Sequence, residues 1–307
     1  MEAPSLNAPA AEPPDTDAMR RLAVFAAFAR SRLAVLALAV FILLALVAIL
    51  APWISPQNPY DLGQISIMDA RLPPGAESMD GGRYWLGTDD QGRDMLSGMF
   101  YGLRISLGVG IVSALLAALA GTSIGILAAY ARGRLETLLM RLVDLQLSFP
   151  AILVALMILA LLGKSVMNVV LALVIVEWAT YARAARSAAL VERGKEYVEA
   201  AQGLVLSRWR IVFRHLLPNC LPPIIVIMTI QIARAIALEA TLSFLGLGVP
   251  VTEPSLGLLI ANGYQYMLSG MYWISFYPGM VLLVAIVSIN LVGDRLRDVL
   301  NPRRRPA

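Results

Sequence analysis

Seven stretches of this sequence carry no Asp, Glu, Lys or Arg: residues 33–60, 105–131, 145–163, 165–176, 215–233, 240–252 and 254–293. A helix needs about 20 predominantly apolar residues to cross a hydrocarbon core about 30 Å thick. The runs therefore predict an all-α, polytopic membrane protein. Composition agrees: 58% of the residues are hydrophobic and the mean hydropathy is +0.71, against about 45–50% apolar residues in soluble domains. Cys220 is the only cysteine and His215 the only histidine. That excludes an intrachain disulfide and argues against Cys- or His-built metal sites, so no metal is expected. The net charge of +4 is modest and shows no nucleic-acid footprint.

Residues 1–32 read as a disordered cytosolic tail ending in a basic flank, with Arg20, Arg21, Arg30 and Arg32; its Pro- and acid-rich start has little periodicity. Residues 33–53 form the first transmembrane helix. Its apolar core exceeds the roughly 7–15 residues of a signal peptide, so a retained anchor is expected. Residues 54–100 form an extracytoplasmic segment with seven acids and only Arg71, Arg83 and Arg93 as bases. Thr88 with Gln91 fits a capping box and predicts a helix running from there into the second span.

Residues 101–295 form the main membrane domain, with spans near 103–131, 137–162, 168–190, 219–245 and 276–293. Gly121 and Gly125 make a small-xxx-small pair suited to close helix packing. Pro150 reads as a tolerated kink in the third span. Residues 246–275, apolar but rich in Gly, Pro, Trp and Tyr, suit an interfacial or re-entrant segment. Residues 296–307 are a basic cytosolic tail. Six spans with the N-terminus inside place nineteen Lys and Arg on inner segments and five on outer ones, with Arg234 inside a span. The positive-inside rule thus puts both termini, and the loop 191–218, in the cytosol.

That loop reads VERGKEYVEAAQGLVLSRWRIVFRHLLP. Tyr197, Ala200, Ala201 and Leu204 share one helical face, and Trp209, Val212, Phe213 and Leu216 repeat the pattern. Gly203, costly inside a helix, reads as the break between two short helices. Ser207 is suited to cap the second, and Pro218 closes the segment. Two amphipathic helices between spans either lie on the lipid surface or dock another protein.

Glu199-Ala200-Ala201, then Gly203, Ile211 and Leu217-Pro218, resembles the E-A-A-x-x-x-G-type loop of ABC importer permeases. Here only Gln202 separates Ala201 from Gly203, closer than that family's spacing. Leu86–Leu107 resembles the segment before the transport domain of dipeptide and oligopeptide permeases. Asp144–Pro150, Ser243–Gly248 (SFLGLG) and Asn290–Asp298 resemble their third span, fifth-span end and C-terminal signature. After SFLGLG the chain departs: Val249–Gly257 reads VPVTEPSLG, without the Trp-Gly that often closes this turn in the family. Over roughly residues 20–303 the chain is similar to the peptide/nickel branch. The resemblance implies a type I ABC importer permease fold, with 101–295 as its transmembrane domain. The implied function is ATP-driven import of dipeptides, oligopeptides, or a nickel chelate, glutathione or oligosaccharide. The implied partners are a second permease forming a heterodimer, two ATPase subunits and an extracytoplasmic solute-binding protein, in the cell inner membrane. The coupling loop to the ATPases would use Tyr197, Glu199, Ala200, Ala201, Gly203, Leu204, Arg208 and Trp209.

No G-x-x-x-x-G-K-[ST] is present, so ATP and Mg are expected on partner subunits and no cofactor on this chain. Charges within a bilayer usually face a cavity or a partner. Glu177, Arg234 and Glu239 are the candidate lining of a translocation path; pairing between helices is the structural alternative. Arg234 and Glu239, five residues apart, are poorly spaced to pair on one helix. A non-transporting scaffold would need neither buried charges in several spans nor this loop. An intramembrane enzyme lacks its Ser/His pair or H-E-x-x-H, and no catalytic residue is expected. A secondary transporter would show an inverted repeat of broken helices, which is not evident.

Overall fold

The computed structural model describes residues 24–79, 81–131 and 133–300. Most of the expected tail 1–32, and the end of 296–307, lie outside the described residues.

Helix α1, Arg32–Ile54, starts at Ser31, whose hydroxyl accepts from the Ala34 N–H at 3.4 Å. It is apolar all round, so size rather than polarity decides which side packs. Ala34, Ala37, Ala48 and Ala51 are buried, while Leu33, Leu36, Leu43 and Leu46 stay exposed to a lipid environment. Small side chains let backbones approach where lipid removes the hydrophobic drive between helices.

Residues 55–94 form an irregular, polar-knotted segment. Asp69, almost fully buried, accepts from the Ser78 hydroxyl at 2.8 Å and the Tyr84 hydroxyl at 3.1 Å. The Thr88 hydroxyl accepts from the Leu72 N–H and donates to the Asp69 carbonyl. This occupies the group expected to cap a helix, and the chain around it turns at Gly87 and Gly92, both at φ +81°. The next helix, α2, accordingly starts later, at Met95–Ala131. Asp94 caps it, its carboxylate accepting from the Ser97 N–H at 2.8 Å and the Ser97 hydroxyl at 2.6 Å. The capping expected at Thr88 is displaced by one turn of loop.

The third span is not a kinked helix but two helices, α3 (Gly133–Ser148) and α4 (Ala151–Leu162), bent by 90°. Pro150 has no N–H to donate and bars Phe149 from helical geometry, so the ladder ends at Ser148. Helix α4 rises only about 18 Å, too little to cross alone. The described residues hold five helices long and apolar enough to cross a membrane, and up to six crossings if the bent pair counts as one span.

A tight turn at Gly163 (φ +81°) leads into α5, Val166–Arg193. A short helix α6, Glu196–Gly203, follows. The chain re-enters through a helical turn at Arg208–Arg210 and a π-helical turn at Ile211–Leu216 that runs unbroken into α7, Leu217–Phe244. The segment expected to be interfacial contains α8, Leu256–Tyr264, whose Leu256, Leu258 and Leu259 are buried. Last comes α9, Trp273–Leu300.

Helix α2 is the centre of the bundle. A Cβ at Gly121 would overlap the Trp178 carbonyl and come within 2.7 Å of the Tyr181 Cβ; one at Gly125 would overlap the Ala182 carbonyl. The small-residue pair read from the sequence is thus the place where α2 and α5 touch backbone to backbone, running parallel. Helix α7 runs antiparallel to α2, with Ser106 beside Glu239 and Gly110 against Ile236. These contacts put residues 55–94 and 245–255 at one end of the bundle, where the Arg93 guanidinium donates to the Val251 carbonyl. The 194–216 loop lies at the other end. Both described chain ends are there too, since Arg295 donates to the Ala27 carbonyl.

Candidate functional site

Two features concentrate chemistry: the loop end and a cavity within the bundle. At the loop end, α6 has an inward and an outward face. Val198 and Ala201 are buried against Ile211 and Leu216, with Tyr130, Leu206 and Val212 around them. The stripe expected to meet a partner is therefore split. Ala201 holds the loop to its own chain. Glu199, Ala200, Gln202 and Leu204 face outward. Tyr197 is half-exposed and tied down, its hydroxyl donating to Glu192 at 2.6 Å. Burial, then that carboxylate, pushes its phenol up to about 12, so it remains a neutral donor.

Gly203 does not make the turn. It is the last residue of α6, and the left-handed residue is Val205, at φ 54°. The Val205 N–H donates to the Gln202 carbonyl at 2.9 Å and the Leu206 N–H to the Ala201 carbonyl at 3.3 Å. That double return is a Schellman closure, whose left-handed position normally takes glycine. Ser207 caps the next helix as expected, accepting from the Arg210 N–H at 3.4 Å.

The outward surface is apolar. Leu204 is 75% exposed, Val205 88% and Trp209 74%, and Trp209 stacks on Phe213 with ring centroids 5.7 Å apart. The sequence singled out Leu204 and Trp209. Phe213 was read on the same stripe as Trp209, one helical turn on; Val205 was missed as an outward residue. Arg208 lines a groove of about 410 Å³ with Tyr130, Arg193, Gln202, Val205 and Leu206.

The second feature sits where α3 breaks into α4. A cavity of about 60 Å³ is lined by Gln146, Phe149, Thr180, Glu177 and Arg234, closed by Leu147, Ala151 and Val176. It brings together Glu177 on α5 and Arg234 on α7, two of the three charges expected to line a path. Glu177 is 1% exposed and neither carboxylate oxygen has a hydrogen-bond partner. Arg234 faces the same cavity from an exposed position without closing an ion pair. Gln146, Phe149 and Thr180 were not foreseen; Phe149 beside Pro150, and Thr180 three residues after Glu177, were the available signals.

The third charge lies elsewhere. Glu239 is fully buried in a hydroxyl knot: Ser106 donates to one oxygen at 2.7 Å and Ser243 to the other at 2.8 Å. The Leu256 N–H reaches Ser106 at 3.4 Å. The knot joins α2, α7 and the start of α8, and Glu239 is not among the residues that line the Glu177–Arg234 cavity. Asp144, on α3, pairs with Arg183 at 2.7 Å, and Glu136 with Arg186 at 2.6 Å, so these charges fasten α3 to α5.

The family described as binding-protein-dependent transport system inner membrane component matches residues 121–306. The N-terminal transmembrane domain of oligopeptide transport permease C matches residues 19–74. The chain is 37% identical over 276 residues to the dipeptide transport system permease protein DppC of Haemophilus influenzae, covering 90% of this chain and 92% of that one. It is 35% identical over 303 residues to the di/tripeptide transport system permease protein DppC of Pseudomonas aeruginosa, covering 98% of each. Among solved structures, the inward-facing MetNI methionine ABC transporter is similar in fold, with a TM-score of 0.56 at 22% identity, covering 67% of this chain and 97% of that one.

Proposed function

The chain belongs to the family of binding-protein-dependent transport system inner membrane components, and from that premise we propose that it is a permease subunit for dipeptides or oligopeptides. Membership makes it a multi-pass inner-membrane protein that works with ATPase and solute-binding partners. It pairs with a second permease subunit as a heterodimer and exposes both termini, with the 191–218 loop, to the cytosol. Residues 55–94 and 245–255 face the binding protein on the other side. ATP and Mg are held by the ATPases, and this chain contributes no catalytic group to hydrolysis.

One observation carries the coupling assignment: α6 is packed on one side and bare on the other. Val198 and Ala201 anchor it, while Leu204, Val205 and the Trp209–Phe213 stack stand outward at the loop end. Aromatic anchors of this kind dominate interface energetics. The loop also runs without interruption from Arg208 through the π-helical turn into α7. A push on Trp209 is therefore delivered along the helix toward Arg234, through the bends that Pro222 and Pro223 allow. Closure of the ATPases would tilt α7 against α2 and α5 and switch access to the path.

The test is to pull down the ATPases with Leu204→Asp and Trp209→Ala variants and to measure ATP hydrolysis and uptake in liposomes. Both variants should reach the membrane and fold, lose most ATPase association and lose uptake. Wild-type association in both would return the loop to a lipid-surface role.

A further inference from the structure

We infer that the cavity at the α3–α4 break is a subsite for the ammonium group of a zwitterionic solute, with Glu177 receiving the cation and Arg234 meeting a carboxylate at the mouth. The inference rests on the reading of the chain as a solute permease, and it adds which end of the solute is read, and by what.

Glu177 is among the largest fully buried side chains of the protein, yet both of its carboxylate oxygens lack a hydrogen-bond donor. A buried carboxylate without a partner is strongly unfavourable, so a group left this way marks a missing donor. The polar atoms nearby in the chain are in the same condition. The Tyr181 hydroxyl, one turn along α5, and the Gln231 amide nitrogen, one turn back from Arg234 on α7, are also buried without partners. By contrast Glu239, equally buried, has a hydroxyl on each oxygen. The sequence thus supplies donors where a carboxylate is structural and withholds them at Glu177.

Size decides what fits. A cavity of about 60 Å³ holds a few waters at roughly 10–15 Å³ each, or one ammonium group with the carbon that bears it, and not a whole dipeptide. The sign decides which end: the enclosed charge is negative, so the guest group is cationic and donates hydrogen bonds. Arg234 decides what must accompany it. A guanidinium at the mouth repels a bare cation, but it offers a forked donor to a carboxylate carried on the same solute. The residues on both sides of the 90° break, Gln146, Leu147, Phe149 and Ala151, line the site. A solute with a free amino terminus and an anionic or carbonyl-rich remainder satisfies both charges at once.

The test uses the purified permease–ATPase complex without its binding protein, so that selectivity read from the complex belongs to the membrane subunits. Equilibrium binding of radiolabelled Ala–Ala is measured, with competition by unlabelled Ala–Ala, N-acetyl-Ala–Ala and Ala–Ala amide. Blocking the amino terminus should weaken competition about tenfold or more, as expected for loss of a charge-assisted hydrogen bond, and the amide should compete more weakly through Arg234. Glu177→Gln, nearly the same shape, should bind Ala–Ala about tenfold more weakly and no longer distinguish the acetylated peptide, while assembling normally. Arg234→Gln should lose the distinction between acid and amide. Should Glu177 and Arg234 serve only to hold α5 against α7, the double variant Glu177→Gln/Arg234→Gln would recover wild-type binding, and the proposal fails. Equal competition by Ala–Ala and N-acetyl-Ala–Ala in the wild type also overturns it, whatever the variants do. If the complex binds no dipeptide but the complete transporter with its binding protein takes up Ala–Ala, the subsite is refuted and the peptide permease reading stands. If neither binds nor transports a dipeptide, both fall.

Discussion

Ser106 on α2 donates a 2.7 Å hydrogen bond to Glu239 on α7, and Ser243 supplies the other carboxylate oxygen at 2.8 Å. A buried acid so placed holds helices together, and at 0% exposure it is closed to a solute. Glu239→Ala would orphan two buried hydroxyls and leave a void where α2, α7 and α8 meet, at a cost of about 2–4 kcal/mol. We expect a lower unfolding temperature in detergent and less protein in the membrane, while uptake per folded complex changes little. Glu239→Gln keeps one acceptor and lets a serine turn its hydroxyl, so it should fall between. Normal stability with abolished uptake would place Glu239 on the path after all.

The contact of α2 with α5 offers a sharper steric test. Gly121→Val would drive two methyl groups into the Trp178 carbonyl and the Tyr181 Cβ. Neither is the far end of a flexible side chain, so the helices must separate. Folded protein should fall several-fold. Gly108→Ala, on the same helix but with nothing within 4 Å of the added Cβ, should match the wild type. Fluorescence size-exclusion profiles of the two variants, run side by side, distinguish packing from any general intolerance of α2.

Asp89 makes the 55–94 segment sensitive to pH. It is buried and accepts from the Gln91 N–H at 2.8 Å and the Arg93 N–H at 2.9 Å. Burial still outweighs those bonds and pushes its carboxyl up to about 6. The unfolded segment titrates near 3.9, so between these values the folded form binds more protons. Stability therefore rises as pH falls from about 7 to about 4, by on the order of 2 kcal/mol. Thermal unfolding followed by Trp85 fluorescence should show this slope, and Asp89→Asn should flatten it. An opposite slope in the wild type would mean that the carboxylate is better solvated than its burial indicates.

How much of this was legible beforehand follows from how far each interaction reaches along the chain. Gly121 and Gly125 announced close packing because the motif is local. The apolar helices were legible from apolar runs, whose lengths are set by the bilayer itself. Pro150 read as a kink that one span could tolerate, and the 90° bend that splits the span into α3 and α4 was not legible, nor were the Asp144–Arg183 and Glu136–Arg186 pairs that hold α3 against α5. Thr88 looked like a cap because Gln91 follows at the right spacing; the Leu72 and Asp69 backbone groups that claim its hydroxyl lie far back in the chain. Glu177, Arg234 and Glu239 were indistinguishable as charges in apolar runs. Only the donors around them separate a site from a fastening, and Ser106 stands 133 positions from Glu239.

The loop shows the same limit within a few residues and yields the last prediction. Gly203 is the residue that reads as the turn, yet it is helical, has open space around it and carries no positive φ. Val205 takes the left-handed position at φ 54°. A β-branched residue there costs about 1–2 kcal/mol relative to glycine, partly offset by glycine's greater freedom when unfolded. With Val205 88% exposed, removing its side chain loses little packing within this chain. Val205→Gly should therefore stabilise the closure of α6 by about 1 kcal/mol, and Gly203→Ala should stabilise the helix by about 0.5–1 kcal/mol. Hydrogen exchange at the Val205 and Leu206 amides, whose bonds close the turn, reads this directly: both substitutions should slow it several-fold. The two differ at the docking surface. Gly203→Ala leaves the outward apolar residues intact and should bind the ATPases as the wild type does. Val205→Gly strips one of them and should weaken association while stiffening the loop. If Gly203→Ala speeds exchange and Val205→Gly leaves it unchanged, the turn is made by Gly203 and the assignment of Val205 is wrong.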